Sequence, residues 1–240
     1  MAKLDVMHLG AERMRIGPWR GDPSVAQVVP APGSRPSPAL IERCLTGLAD
    51  QGYRTVLTPA LTWQECQPFL AASFTVHERL HLLRRELLEL PDPRPTPVRL
   101  RRGRRRDLPA VLAVDADAFD PFWRFDADSL TDARRATPST RFRVAGEGSI
   151  LGYAVTGRAG SVGYLQRLAV HPRHQRRGLG RALVGDALRW AARRGATTML
   201  VNTQEANRPA LALYEALGFV REEHGLVVLQ RPLTGAGDAR

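Results

Sequence analysis

Apolar residues recur along this chain in two periods, and the second half shows them most regularly. Leu183, Val184, Ala187, Leu188 and Ala191 share one face of a helix read over 177–194. Gly195 sits where a helix terminator belongs, behind Arg193 and Arg194, which suit the negative end of the helix dipole. Before that helix, Val98 and Leu100 alternate with arginine, as in a half-buried strand. Asp107 is placed to cap a helix that opens at Leu108 and Pro109 and runs to Ala118. A short helix is expected over 128–136. Strands are expected over 141–145, 150–156 and 162–170, with Gly160 turning into the last of these. After the long helix come a strand over 197–203, a helix over 208–217 closed by Gly218, and two strands over 219–222 and 226–230. The order is mixed α/β (α+β).

Proline divides the chain. The stretch Leu90–Pro97 reads LPDPRPTP and behaves as an extended linker. The expected division is a first domain over 1–90, a linker over 91–96, a second domain over 97–233 and a tail over 234–240. The first domain carries an internal repeat of the second. Ala39-Leu40-Ile41 matches Ala182-Leu183-Val184, Gly52 matches Gly195, and Ala71-Ala72-Ser73-Phe74 matches Ala216-Leu217-Gly218-Phe219. Residues 1–90 then form a half-size copy of the second domain's carboxyl half.

The chemistry concentrates between Leu165 and Phe219. An apolar strand ends in Leu168-Ala169-Val170-His171-Pro172, and Gln175-Arg176-Arg177-Gly178-Leu179-Gly180-Arg181 leads into the long helix. Two glycines let backbone N–H groups converge, the helix start adds unpaired donors, and three arginines add charge. Such a cradle suits a phosphate or pyrophosphate. It is not the dinucleotide fingerprint, which needs a third small residue where Leu183 stands, nor a Walker A loop, which needs Gly-Lys-Ser/Thr. Gln175–Gly180 resembles motif A of the GNAT acetyltransferase superfamily. The resemblance continues in Asn207 and in Tyr214-Glu215-Ala216-Leu217-Gly218-Phe219. It covers 97–233, and its nearest-looking branches are the ribosomal-protein N-terminal acetyltransferases and the tandem mycothiol synthases.

The resemblance implies a GNAT fold, a mixed central sheet flanked by helices, preceded by a degenerate half-GNAT-like domain. It implies acetyl-CoA as co-substrate, with no metal, and a primary amine of a peptide N-terminus, a lysine or a small molecule as acceptor. Backbone groups of Leu168, Ala169 and Val170 would pair with the pantetheine arm. Gln175 opens the cradle, and the N–H groups of Arg176, Arg177, Gly178, Leu179, Gly180 and Arg181 would hold the pyrophosphate. Asn207 would bond the pantetheine chain, and Tyr214 would protonate the departing thiolate.

The chain departs from the pattern at the base. Asn202 stands where the N-terminal acetyltransferases carry a glutamate, and Tyr164-Leu165-Gln166-Arg167 offers no carboxylate. A water held by Gln166 or Asn202 is the expected relay. The first domain departs further: PGSRPS over 32–37 replaces the cradle, and Phe69 stands in place of Tyr214, so no cofactor is expected there. Phe119-Asp120-Pro121-Phe122-Trp123-Arg124-Phe125 falls where the family's acceptor loop lies. Asp120 is expected to hold an ammonium group, with Phe122 and Trp123 facing it by cation–π contact. His77 and His81 fall in expected strands, which disfavours a metal site.

Composition narrows the classes. The 240 residues carry a net charge of +11, nearly all from arginine, since Lys3 is the only lysine. That usage fits a composition bias, and the densest run, Arg99–Arg106, has no aromatic residue for base stacking, so nucleic acid is not the expected partner. No apolar run reaches a membrane span and no signal peptide is visible. Cys44 and Cys66 are too few for a disulfide framework, and a cytoplasmic enzyme is expected. The competing class is a non-catalytic acyl-CoA-binding protein.

Overall fold

The structure is a computed structural model that describes residues 5–31, 33–88, 90 and 98–233. In chain order its elements are β1 (Asp5–Leu9), β2 (Glu12–Pro18), β3 (Val25–Pro30), α1 (Pro38–Asp50), β4 (Thr55–Leu57), α2 (Trp63–Ala71) and β5 (Thr75–Glu86). They continue with β6 (Leu100–Arg102), α3 (Leu108–Ala118), α4 (Ala127–Arg135), β7 (Ser139–Ala145), β8 (Gly152–Ala159) and β9 (Val162–Val170). The last are α5 (Leu179–Arg193), β10 (Thr198–Gln204), α6 (Arg208–Glu215), β11 (Val220–Arg221) and β12 (Leu226–Pro232). Two compact units result, residues 1–81 with 223–240, and residues 82–222. Among the described residues no helix is long and apolar enough to cross a membrane.

The expected division within 91–96 lies outside the described residues, and the units divide elsewhere, at Leu82 and Glu223. The reason is strand pairing. The second half of β5 pairs with β11, Arg84 opposite Val220 and Leu83 opposite Arg221, inside the second unit. Strand β12, expected as the last strand of the 97–233 domain, instead pairs with β4 and with the first half of β5 in the first unit. Each unit therefore takes one strand from the far side of the expected boundary.

In the first unit α1 and α2 pack on the sheet through Leu40, Ile41, Leu48 and Phe69, all buried against Met14, Ile16, Val28 and Leu229. Thr62 and Glu65 form a capping box that starts α2. The repeat is visible in the backbone. The parallel pairs Val25↔Thr55 and Ala26↔Val56 echo Val162↔Thr198 and Gly163↔Met199. Left-handed backbone closes the helices of both copies, at Gly52 and Ser73 in one and at Gly195 and Gly218 in the other.

The second unit has helices on both faces of its sheet, which runs β6-β7-β8-β9-β10-β5 with β11 beside β5. On one face α5, α6 and the turn after α6 bury Leu183, Val184, Leu188, Leu211 and Leu217 against Ala154, Leu165, Met199 and Val201. On the other, α3 and α4 bury Val111, Val114 and Leu130 against Phe142, Tyr153 and Val155. Asp107 precedes α3 but makes no side-chain cap, a correction to the expectation. Its carboxylate instead accepts two bonds from Arg101, at 2.7 and 2.9 Å, and one from the Arg104 N–H at 2.7 Å. The Arg101 bonds hold its pKa down at about 2. Arg101 and Arg102 of the arginine run lie within strand β6, Leu100–Arg102.

Candidate active site

Strands β9 and β10 run parallel for only three pairs, Val162↔Thr198, Gly163↔Met199 and Leu200↔Tyr164. Beyond Tyr164, β9 continues to Val170 paired, among the described residues, on its other side alone, with β8 through Ala154↔Leu168, Tyr153↔Ala169 and Gly152↔Val170. The split leaves an open strand edge, and an extended chain can add to such an edge by backbone hydrogen bonds. The edge borders a cavity of about 480 Å³ lined by Leu168, Ala169, Val170, Gln175, Arg176, Gly178, Gly180, Arg181 and Asn207, nine of the twelve expected cofactor residues. Ala118, Phe119, Pro209, Ala210, Ala212, Leu213 and Ala216 complete it.

Local chemistry explains the shape. Gln175 ties the loop back to the strand, its Nε2 donating to the Val170 carbonyl at 3.2 Å. Arg176 and Gly178 both adopt left-handed backbone, with φ of 61° and 82°. Gly178 is the N-cap of α5 and has no side chain to cap the first helical N–H groups, which suits these donors to an anion. Gly180 does something the sequence did not show: a Cβ there would lie 3.0 Å from Leu213 Cδ2, so its absence lets α6 approach α5. Asn207 caps α6, its Oδ1 accepting from the Ala210 N–H at 3.2 Å, and also faces the cavity. The residues present fit a phosphate-bearing ligand with an extended amide arm.

Other expected site residues lie apart. Arg177 and Leu179 do not line the cavity, and the Leu179 side chain is 3% exposed in the core. Tyr214 is 5% exposed, packs against Phe219 at 5.7 Å between ring centroids, and is not a lining residue. Burial pushes its phenol pKa well above the usual value, and the nearby Arg167 charge draws it back down. Gln166 occupies an irregularity in the β8–β9 ladder, between the pairs Thr156↔Leu165 and Val155↔Arg167, and its Oε1 is buried without a partner among the described residues. Asn202 is exposed on β10, beyond the last pair with β9. Both polar residues therefore follow the split.

The aromatic stretch after α3 is held rather than free. Arg167 sits against Phe119 and Phe125, its guanidinium carbon 3.5 and 3.9 Å from the two ring centroids. Its nitrogens bond both oxygens of the fully buried Asp115 at 2.8 and 2.7 Å, and the Trp123 carbonyl at 2.8 Å. Asp115 also accepts from the Tyr153 hydroxyl at 2.5 Å and the Phe125 N–H at 2.7 Å. Two of the four rings expected in the acceptor loop thus face an internal cation. Phe122 and Trp123 are half-buried and meet edge to face at 5.1 Å, while Asp120 is exposed. Sequence reading missed this network. Its signal was a carboxylate and a guanidinium at the inward positions of an apolar helix and an apolar strand.

A strand that parts from its parallel neighbour, followed by a helix start without a side-chain cap, offers an extended edge and an anion site to one ligand, as the acyltransferase resemblance requires. Comparisons with known proteins agree. The family model described as "Acetyltransferase (GNAT) family" matches residues 106–219. The mycothiol acetyltransferase of Thermobispora bispora is 33% identical over 218 residues, covering 83% of this chain and 74% of that one. The [ribosomal protein bS18]-alanine N-acetyltransferase of Escherichia coli K12 is 30% identical over 113 residues, 47% of this chain and 74% of its own. A solved tandem GNAT protein from the clavulanic acid biosynthesis pathway superposes with a TM-score of 0.68 at 16% identity, over 95% of this chain and 82% of that one. The chain belongs to the GNAT acetyltransferase family, and it has the tandem-type fold.

Proposed function

We propose that the protein transfers an acetyl group from acetyl-CoA to a primary amine by direct attack of the amine on the thioester. The observation that carries the reading is the single cavity shared by the open β9 edge, the α5 start and Asn207. On this reading the N–H groups of 176–181 hold the pyrophosphate, Leu168–Val170 add the pantetheine arm as a strand, and Asn207 bonds it. The amine comes from the side of Ala118 and Phe119, with Asp120, Phe122 and Trp123 as its outer contacts. Gln166 or Asn202 holds the water that receives the proton, and Tyr214 protonates the thiolate. Positioning the amine against the thioester supplies much of the rate without a strong base. The Escherichia coli relative, an alanine N-acetyltransferase, supports an amine acceptor.

One observation favours a second reading, a non-catalytic acyl-CoA-binding protein: Tyr214 is buried and does not line the cavity. Release of CoA thiol separates the two. The enzyme reading requires thiol release that depends on one or more primary amines in a panel of free-N-terminus peptides, Nα-blocked lysine and small aliphatic amines. Acetyl-CoA binding without amine-dependent release across the panel sinks it in favour of the second. The first unit, on this account, is a degenerate copy without cofactor. At the start of α1 the Ser37 hydroxyl donates to Glu12 Oε2 at 2.6 Å, and the Ser37 N–H to the same oxygen at 3.2 Å. A carboxylate of the chain itself thus stands where the second unit offers open donors.

A further inference from the structure

We propose that Arg167 is a specificity-determining positioning residue: it clamps the acceptor-side wall 119–125 to the strand whose next three residues border the cofactor cavity. This deepens the acetyltransferase reading above and rests on it for the acceptor's identity. The clamp has three parts. The carboxylate of Asp115 grips the guanidinium through both of its oxygens and takes the Phe125 N–H as well. The rings of Phe119 and Phe125 cover the guanidinium. The same guanidinium donates to the Trp123 carbonyl. Further bonds close the loop on itself, Trp123 N–H to the Asp120 carbonyl at 2.8 Å and Arg124 Nε to the Phe119 carbonyl at 3.1 Å.

The consequences follow from geometry. Arg167 is two residues along β9 from Ala169, which lines the cavity, and its ring partner Phe119 lines the same cavity. The side chains of Arg167 and Asp115 are 9% and 0% exposed, so water does not screen the pair. A loop built this way is a fixed wall, and only an acceptor shaped to it approaches the open strand edge. A planar fork is required, because a lysine ammonium cannot engage both carboxylate oxygens, a backbone carbonyl and two ring faces together.

The test compares the full chain with Arg167→Lys. In the parent, the Phe125 amide is protected from hydrogen exchange and the best amine of the panel sets the reference KM. In Arg167→Lys, exchange at Phe125 rises at least tenfold. The acceptor KM rises at least tenfold while the acetyl-CoA Kd stays within twofold, and discrimination between amines narrows. A purely structural ion pair would lower the melting temperature and leave the acceptor KM and the discrimination unchanged, and that result overturns the proposal. If Arg167→Lys does not fold, Phe125→Leu keeps the ion pair and removes one ring. A raised acceptor KM at constant acetyl-CoA Kd supports the clamp, and an unchanged one refutes it. Should the parent turn over no amine, the acetyltransferase reading fails. Exchange at Phe125 then decides the clamp by itself, parent-like protection in Arg167→Lys refuting it.

Discussion

Removing residues 1–94 should unfold the second unit, although the proline-rich stretch invites a cut there. Strand β5 neighbours β10, and its second half pairs with β11. Leu83 and Leu87 are 0% and 5% exposed in the core beneath α5 and α6. Burying each contributes about 1.5–3 kcal/mol. The segment also supplies the Leu82 carbonyl to the Glu222 N–H and the Leu87 N–H to the Thr197 carbonyl, both at or below 2.9 Å. Such bonds contribute about 0.5–1.5 kcal/mol each. The loss is about 5 kcal/mol or more, against the roughly 5–15 kcal/mol that holds a domain folded. A fragment spanning 95–240 should therefore show no cooperative urea transition. A fragment spanning 82–222, the compact unit itself, should unfold cooperatively and gain thermal stability from acetyl-CoA. Equal midpoints for the two fragments in circular-dichroism melts would refute the pairing argument.

Three further outcomes are expected. Gly178→Asp should abolish thermal stabilisation by acetyl-CoA, because it sets a negative charge among the free donors of α5 in left-handed backbone; Gly178→Ala, carrying the strain alone, should keep part of it, and scanning fluorimetry reads both. Tyr214→Phe should lower kcat about 10-fold to 100-fold with the acetyl-CoA Kd nearly level, and equal loss of both would make the ring structural. Asp107→Asn should cost about 1–2 kcal/mol at neutral pH; because the folded pKa is depressed to about 2, that stability is present above the unfolded value near 4 and disappears as pH falls through 2, so a constant difference in urea midpoint down to pH 2 would contradict it.

The loop and helix start over Gln175–Gly180 were legible because they are local. Gln175–Gly180, the strand before it and Asn207 lie within fifty residues, and turn chemistry and helix-start donors specify them without tertiary context. Gly195 and Gly218 declared their left-handed backbone for the same reason. The strand exchange was hidden because pairing between β5 and β11, or β12 and β4, joins segments more than a hundred residues apart, and alternation of side chains does not name a partner. Its one trace was length: β5 has twelve residues where five or six are usual. The Asp115–Arg167 pair was hidden because charge in the sequence reads as surface. Only the packing of α3 on β9 makes both side chains inward. Tyr214 matched the family pattern by position, and burial then changed what its hydroxyl faces.

The central claim is that acetyl-CoA binds along the open edge of β9 and over the start of α5. Hydrogen exchange of the full chain with and without saturating acetyl-CoA tests it most directly. The account predicts new protection of amides at Leu168–Val170 and over 176–181, with the matching segment of the first unit, the start of α1 at Ser37, unchanged. Protection at Ser37, or stabilisation by acetyl-CoA with 168–170 and 176–181 exchanging as before, would contradict it.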